Sequence, residues 1–163
     1  MNSILLLGIN LGDKLINLKH AVKCIENAIG KIVCKSSIYE TEPWGFKSKE
    51  LFYNMTIEVE TKLNPNELLK ELKKIEFKIG RTRTHNNCYE NRIIDLDILF
   101  YDDVIINTNE LNLPHSKLHL RKFTLIPLNE IKPKLIHTLL KKEISTLLLE
   151  CEDNSNVVNI GYL

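Results

Sequence analysis

The segment 52–61, FYNMTIEVET, repeats with a period of two and runs almost directly into a segment with the period of a helix. Tyr53, Met55, Ile57 and Val59 point one way; Phe52, Asn54, Thr56, Glu58 and Glu60 point the other. Then comes NPNELLKELKKIEFKIG at 64–80. Asn64 is placed to cap, Pro65 suits the first turn, and Glu67 stands where a capping box needs it. Leu68, Leu72, Ile75 and Ile79 make an apolar stripe, and Gly80 follows the end. A strand joined so tightly to a helix leaves few layouts for the rest of the chain.

The flanks narrow them further. Residues 3–9 are a short apolar run that reads as a buried strand. Leu15, Leu18, Val22, Ile25 and Ile29 recur at helical spacing, with Gly30 closing that helix, and 31–40 returns to strand character. TEPWGFKSKE at 41–50 reads as a loop, and so does the polar stretch 81–91. A further apolar strand covers about 92–100. The order is β-α-β-β-α-β, the pattern of a ferredoxin-like α+β sandwich. Additional C-terminal elements follow: a short strand at 103–106, a loop and short helix within 113–131, a helix at 141–151 and an edge strand at the end. In this layout two helices cover one sheet face and the other face is free to hold ligands.

With 163 residues, 44% hydrophobic and 26% charged, one domain over 1–163 can bury a core without disulfides or a structural metal. The net charge of +1 offers no global field for nucleic acid or an anionic membrane. Cys24, Cys34, Cys88 and Cys151 form no Cys-x-x-Cys pair, so neither a zinc site nor a redox motif is indicated. The apolar start is too short to span a membrane and has no basic leader. The expectation is a reduced, cytoplasmic, monomeric protein. No phosphate-binding glycine loop of the Gly-x-x-x-x-Gly-Lys-Ser/Thr type occurs.

Two aspartates interrupt the strand in NRIIDLDILF. Asp95 and Asp97 project from one face, with carboxylates roughly 5–7 Å apart. At an effective dielectric near 20, two such charges repel by roughly 2–3 kcal/mol. Solvation at an open edge would offset this, and so would ion pairs with Arg81, Arg83 or Arg92. A divalent cation held by both carboxylates is the third solution. Mg²⁺ suits it best, because it keeps several waters and completes its shell with substrate phosphates. Arg81, Arg83, Arg92, His115, Lys117, His119, Arg121 and Lys122 outnumber what two carboxylates need, and cations beside a carboxylate metal site are what a polyphosphate requires.

The stretches GIN, YETEPWG, FYNM, IEFKIGRTR, NRIIDLDIL and LPHSKLHLRKF appear in an order and spacing that resembles the 6-hydroxymethyl-7,8-dihydropterin pyrophosphokinase family over about residues 1–135. The Arg-x-x-Asp-x-Asp-Ile-Leu stretch, followed by Pro-His and then Arg-x-Phe, is its most specific part. The resemblance implies transfer of pyrophosphate from ATP to a reduced pterin, with AMP released and two Mg²⁺ ions on Asp95 and Asp97. It implies small-molecule substrates only. It assigns Arg81, Arg83, Arg92, His115 and Arg121 to ATP, with Arg83 and Arg92 counted with the aspartates as catalytic. It places the pterin between Phe52 and Phe123, against Asn54, Asp95 and the backbone of Thr41, Glu42, Pro43 and Trp44. Asn10 and Glu76 match family positions without an assigned role. The loop THNNCYEN departs from the pattern. Cys88 and Tyr89 stand at the family's Arg-Trp positions, which implies a weaker grip on ATP or compensation by His85. Glu110 stands where some members carry Arg.

Overall fold

A computed structural model describes residues 1–45, 49–80 and 93–163 of the chain. Strand β1 (Asn2–Ile9) pairs antiparallel with β4 (Phe52–Thr61) on one side and with β5 (Asp95–Tyr101) on the other. The far side of β4 is shared by two short strands. Its C-terminal half pairs with β2 (Gly30–Lys35) and its beginning pairs with β3 (Ile38–Thr41). The last strand, β8 (Val157–Gly161), adds to the outer edge of β3. The six-stranded sheet runs β5-β1-β4-β3-β8, with β2 also on β4.

The strand character of 31–40 therefore splits in two. Ser36 Oγ takes the place of a backbone acceptor for the Thr56 N–H at 2.9 Å. The Ser37 N–H and hydroxyl both turn away to the Glu130 carboxylate, each at 2.9 Å. The short strand expected at 103–106 lies instead at Ile106–Asn107 (β6), paired with Asn112–Leu113 (β7). Asp102, at φ 41°, spends the intervening residues on a turn, anchored by the Asn2 N–H on its carboxylate.

Helices α1 (Lys14–Ala28) and α2 (Pro65–Ile79) cover the face that carries Leu5, Leu7, Ile9, Met55, Ile57, Val59, Leu96 and Ile98. Each such side chain, fully buried, contributes about 1.5–3 kcal/mol. The buried side of α1 is Leu18, Ala21, Val22 and Ile25. Leu15 lies at the edge of that stripe in the first turn and is 45% exposed. Helix α2 has the full capping box. Asn64 Oδ1 accepts from the Asn66 and Glu67 N–H groups, and Glu67 accepts from the Asn64 N–H. Gly80 ends it in the left-handed region at φ 106°.

The second sheet face is largely covered, contrary to the free face expected. Helices α3 (Lys122–Ile131) and α4 (Ile144–Leu149) pack there over Ile4, Leu6, Leu99 and Phe100, with Leu118, Leu125, Leu128, Ile144 and Leu147. A register shift between β1 and β5 turns both Leu99 and Phe100 to this side. What stays open is the end of the face near the start of β5 and the start of β4. Among the described residues no helix is long and apolar enough to cross a membrane. Cys24, Cys34 and Cys151 are free thiols, and burial together with the Glu58 carboxylate pushes the Cys34 thiol upward, away from reactivity.

Candidate active site

The cross-strand register lays out the open end of the sheet. Asp95 is opposite Gly8, Gly8 is opposite Asn54, and Asn54 is opposite Tyr39. Residues paired in this way share a face. Asp97, opposite Leu6, stands in the next row. Both aspartates are half-buried, while Leu96 between them is buried in the core on the opposite face. The period-two reading of β5 therefore holds: two carboxylates aim together off an apolar strand.

The floor beside them is shaped by a missing side chain. A Cβ on Gly8 would stand 3.1 Å from Asn54 Oδ1. Asn54 cannot easily yield, because it is 2% exposed and its Nδ2 donates to Thr41 Oγ1 at 2.8 Å. Thr41 faces Phe52 across β3 and β4, so these residues line one slot. Entry into β4 is held by Lys14, whose Nζ donates to the Leu51 carbonyl at 2.9 Å and lies 4.4 Å over the Tyr53 ring. Beyond Thr41 the chain continues through exposed Glu42 and half-buried Pro43 and Trp44.

The chain reaches the same end again through 113–123. The His115 N–H donates to the Leu99 carbonyl at 2.9 Å, which lays this segment along β5. One turn of 3-10 helix, Leu118–Leu120, then delivers Arg121. Arg121 is 6% exposed, with its guanidinium carbon 4.6 Å from the Trp44 ring centroid and 5.6 Å from that of Phe123. Two aromatic faces thus hold one planar cation. The start of α3 is fixed by Asp153, which accepts from the Lys122 N–H at 2.9 Å. Burial pushes that carboxyl upward, but hydrogen bonds from Ser155 and Lys122 outweigh it and leave it below the usual range.

His115 is pushed down to about 4, first by burial, then by the Arg121 charge, with Lys117 adding and Asp95 opposing. It is neutral at neutral pH. Its Nδ1 accepts from the Lys117 N–H at 3.3 Å, which places the proton on Nε2. A depressed histidine stabilises the fold above its unfolded value of 6.5 and loses that contribution as pH falls toward 4. With allowance for its partial exposure, the loss is about 2 kcal/mol. Urea unfolding of metal-free protein from pH 7.5 to 4 is expected to fall more steeply for wild type than for His115→Asn. Parallel curves for the two proteins would remove this assignment. His137, likewise lowered by burial, titrates in both and cancels.

Asp95, Asp97, His115, Arg121, Trp44, Phe123, Phe52, Asn54 and Thr41 thus lie on the elements that meet at one end of the sheet. Arg81, Arg83 and Arg92, with His85, Cys88 and Tyr89, lie outside the described residues. Gly8 entered the sequence reading only within the GIN stretch and without a role, although a glycine inside an apolar strand is a recognised sign of close approach. Among the described residues no three His, Cys, Asp or Glu side chains gather as a metal cage. Two co-directed carboxylates fit Mg²⁺ arriving with a nucleotide, because phosphate oxygens and water complete its shell.

Residues 4–133 match the family model described as 7,8-dihydro-6-hydroxymethylpterin-pyrophosphokinase (HPPK). The chain belongs to this family. It is 42% identical over 134 residues to the Bacillus subtilis 2-amino-4-hydroxy-6-hydroxymethyldihydropteridine pyrophosphokinase, covering 80% of this chain and 79% of that one. It is 37% identical over 153 residues to the Dictyostelium discoideum folic acid synthesis protein, covering 94% of this chain and 23% of that one. The fold is similar to a wild-type Plasmodium falciparum HPPK-DHPS crystallised with pteroate: TM-score 0.74, 18% identity, 91% of this chain and 44% of that chain. The chain thus spans most of the HPPK relative from Bacillus and less than half of the two longer proteins.

Proposed function

We infer that this protein, an HPPK, transfers pyrophosphate from ATP to the hydroxymethyl group of 6-hydroxymethyl-7,8-dihydropterin in folate synthesis, releasing AMP. The observation that carries the reading is the row Asp95–Gly8–Asn54 with Asp97 one step along, in a chain of this family. It sets a carboxylate pair suited to Mg²⁺ beside an amide-lined slot suited to a flat polar ring. The strand order β5-β1-β4, flanked by β2 and β3 and covered by α1 and α2, supports a ferredoxin-like sandwich with additions; that it acts as one domain over 1–163 and as a monomer is part of the same proposal.

The substrates meet at this end of the sheet. The pterin hydroxyl oxygen forms a bond to the β-phosphorus of ATP, the bond from that phosphorus to the bridging oxygen breaks, AMP keeps that oxygen, and the hydroxyl proton is released. Asn54 and Thr41 present an amide and a hydroxyl to the pterin edge, and Phe52 and Phe123 offer ring faces for stacking. Arg121, held by Trp44 and Phe123, and neutral His115 present fixed donors to the phosphates, so charge developing on the leaving group meets a preorganised site. Asp95 and Asp97 would hold Mg²⁺, in two ions, which when bound neutralises phosphate charge and lowers the hydroxyl's pKa. Arg81, Arg83 and Arg92 are assigned to ATP by position in the family pattern. Catalysis of this kind is positioning and electrostatics, with no covalent enzyme intermediate.

The test is direct. Protein incubated with MgATP and the reduced pterin is expected to yield AMP in step with pyrophosphorylated pterin, and to stop when Mg²⁺ is chelated. Formation of ADP in place of AMP would rule out pyrophosphoryl transfer.

A further inference from the structure

Glu76 is charged, yet it sits in the apolar stripe of α2 beside Leu68, Leu72 and Ile75 and is 5% exposed. A carboxylate taken from water at such a position costs several kcal/mol unless hydrogen bonds compensate. An apolar residue would pack on the sheet there at lower cost. A reason for a glutamate must therefore lie in what its carboxylate meets.

The hydrogen bond it makes gives one. Glu76 Oε1 accepts from the Leu96 N–H at 2.8 Å, across 20 positions of sequence. Leu96 is the residue between Asp95 and Asp97, and β5 is an end strand of the sheet. Its β1 neighbour is Leu7, and its N–H turns away from β1 toward α2. An outward N–H on an edge strand ordinarily meets water and leaves the strand free to twist locally. Here a buried acceptor from a helix stops that movement. Side chains of Asp95 and Asp97 leave the backbone on either side of this one fastened amide. A small rotation at Leu96 would swing the two carboxylates relative to each other.

We propose that Glu76 is a positioning residue for the Asp95–Asp97 pair: its carboxylate locks the Leu96 amide and so sets the spacing at which both aspartates meet Mg²⁺. The proposal rests on the metal reading above. It assigns Glu76 a part in metal binding without contact with the metal. Groups that orient ligands in this way commonly change metal affinity 10–100-fold when removed.

The test compares wild type with E76M, which keeps the volume and helix preference but removes the acceptor, and with E76Q, whose amide oxygen can accept the same bond. Two readouts are taken. Hydrogen exchange of the Leu96 amide is followed in metal-free protein, and Mg²⁺ is titrated calorimetrically in the presence of α,β-methylene-ATP. In wild type the Leu96 amide is expected to be protected. E76M is expected to speed its exchange at least tenfold and to weaken the Mg²⁺ midpoint about tenfold, while E76Q stays within about threefold of wild type in both. An unprotected Leu96 amide in wild type overturns the proposal, as does an E76M protein that binds Mg²⁺ within twofold of wild type. If E76M does not fold, E76Q decides. A midpoint near wild type supports backbone positioning, whereas a loss as large as that of D97N means Glu76 acts through its charge and overturns it. D97N also separates the two readings. If D97N titrates like wild type, the metal assignment itself falls; if D97N fails while E76M binds normally, only the role of Glu76 falls.

Discussion

Asp97→Asn, and separately Asp95→Asn, is expected to lower Mg²⁺-dependent AMP formation by about 1,000-fold or more, equivalent to ~4 kcal/mol of lost transition-state stabilisation. The substitution is isosteric, so the reason is charge. Both carboxylates leave one face of β5 while Leu96 and Ile98 anchor the other in the core, so neither aspartate can swing to another site without moving the strand. An amide in either place offers one neutral oxygen to a doubly charged ion that binds carboxylate oxygens. Because the core face is untouched, urea unfolding of metal-free protein should shift by only about 1 kcal/mol. The signature is a large loss of activity with little loss of fold. Activity surviving both substitutions, at saturating nucleotide and matched Mg²⁺, would remove the carboxylate pair from the mechanism.

The features that sequence carried best are those governed by near neighbours. Asn64, Pro65, Glu67 and Gly80 all act within helix α2 or one residue beyond it, and the structure contains each as read. The same holds for the faces of β4 and β5: period two put Asn54 with Phe52, and Asp95 with Asp97, on common sides. Features that depend on distant partners were not readable. The break at Ser36–Ser37 needs Thr56 and Glu130 as partners. The covering of the second face depends on α4, only six residues long, and on α3, which contains Pro127; neither shows a clear helical stripe by itself. Arg121 reads as one phosphate cation among several, and its burial against the Trp44 ring depends on a loop distant in sequence. Glu76 matched a family position without an assigned role, since one partner it bonds is a backbone amide 20 positions away. The roles of Phe52, Phe123 and the Thr41–Trp44 backbone came from family resemblance, and local physics supplied only their faces and burial.

Gly8 tests how closely the slot is built. Gly8→Val is expected to weaken pterin binding about 100-fold while leaving the fold intact. In a buried strand valine is the better β-former, so the backbone has no reason to object. On the side-chain face the outcome differs. The new Cβ alone would stand 3.1 Å from Asn54 Oδ1, and the two methyls beyond it would project between Asp95 and Asn54. Asn54 would have to turn, which breaks its 2.8 Å bond to Thr41 and leaves buried polar groups unsatisfied at about 1–3 kcal/mol. The methyls would also occupy the floor on which a flat ring must lie. Binding of Mg²⁺ with α,β-methylene-ATP should change less, because the new Cβ meets Asn54 rather than the Asp95 carboxylate, and Asp97 stands one row further along, opposite Leu6. Gly8→Ala should fall between, since a single Cβ needs Asn54 to give by only a few tenths of an ångström. Equal losses of pterin and nucleotide binding in Gly8→Val would mean that the slot over Gly8 does not belong to the pterin.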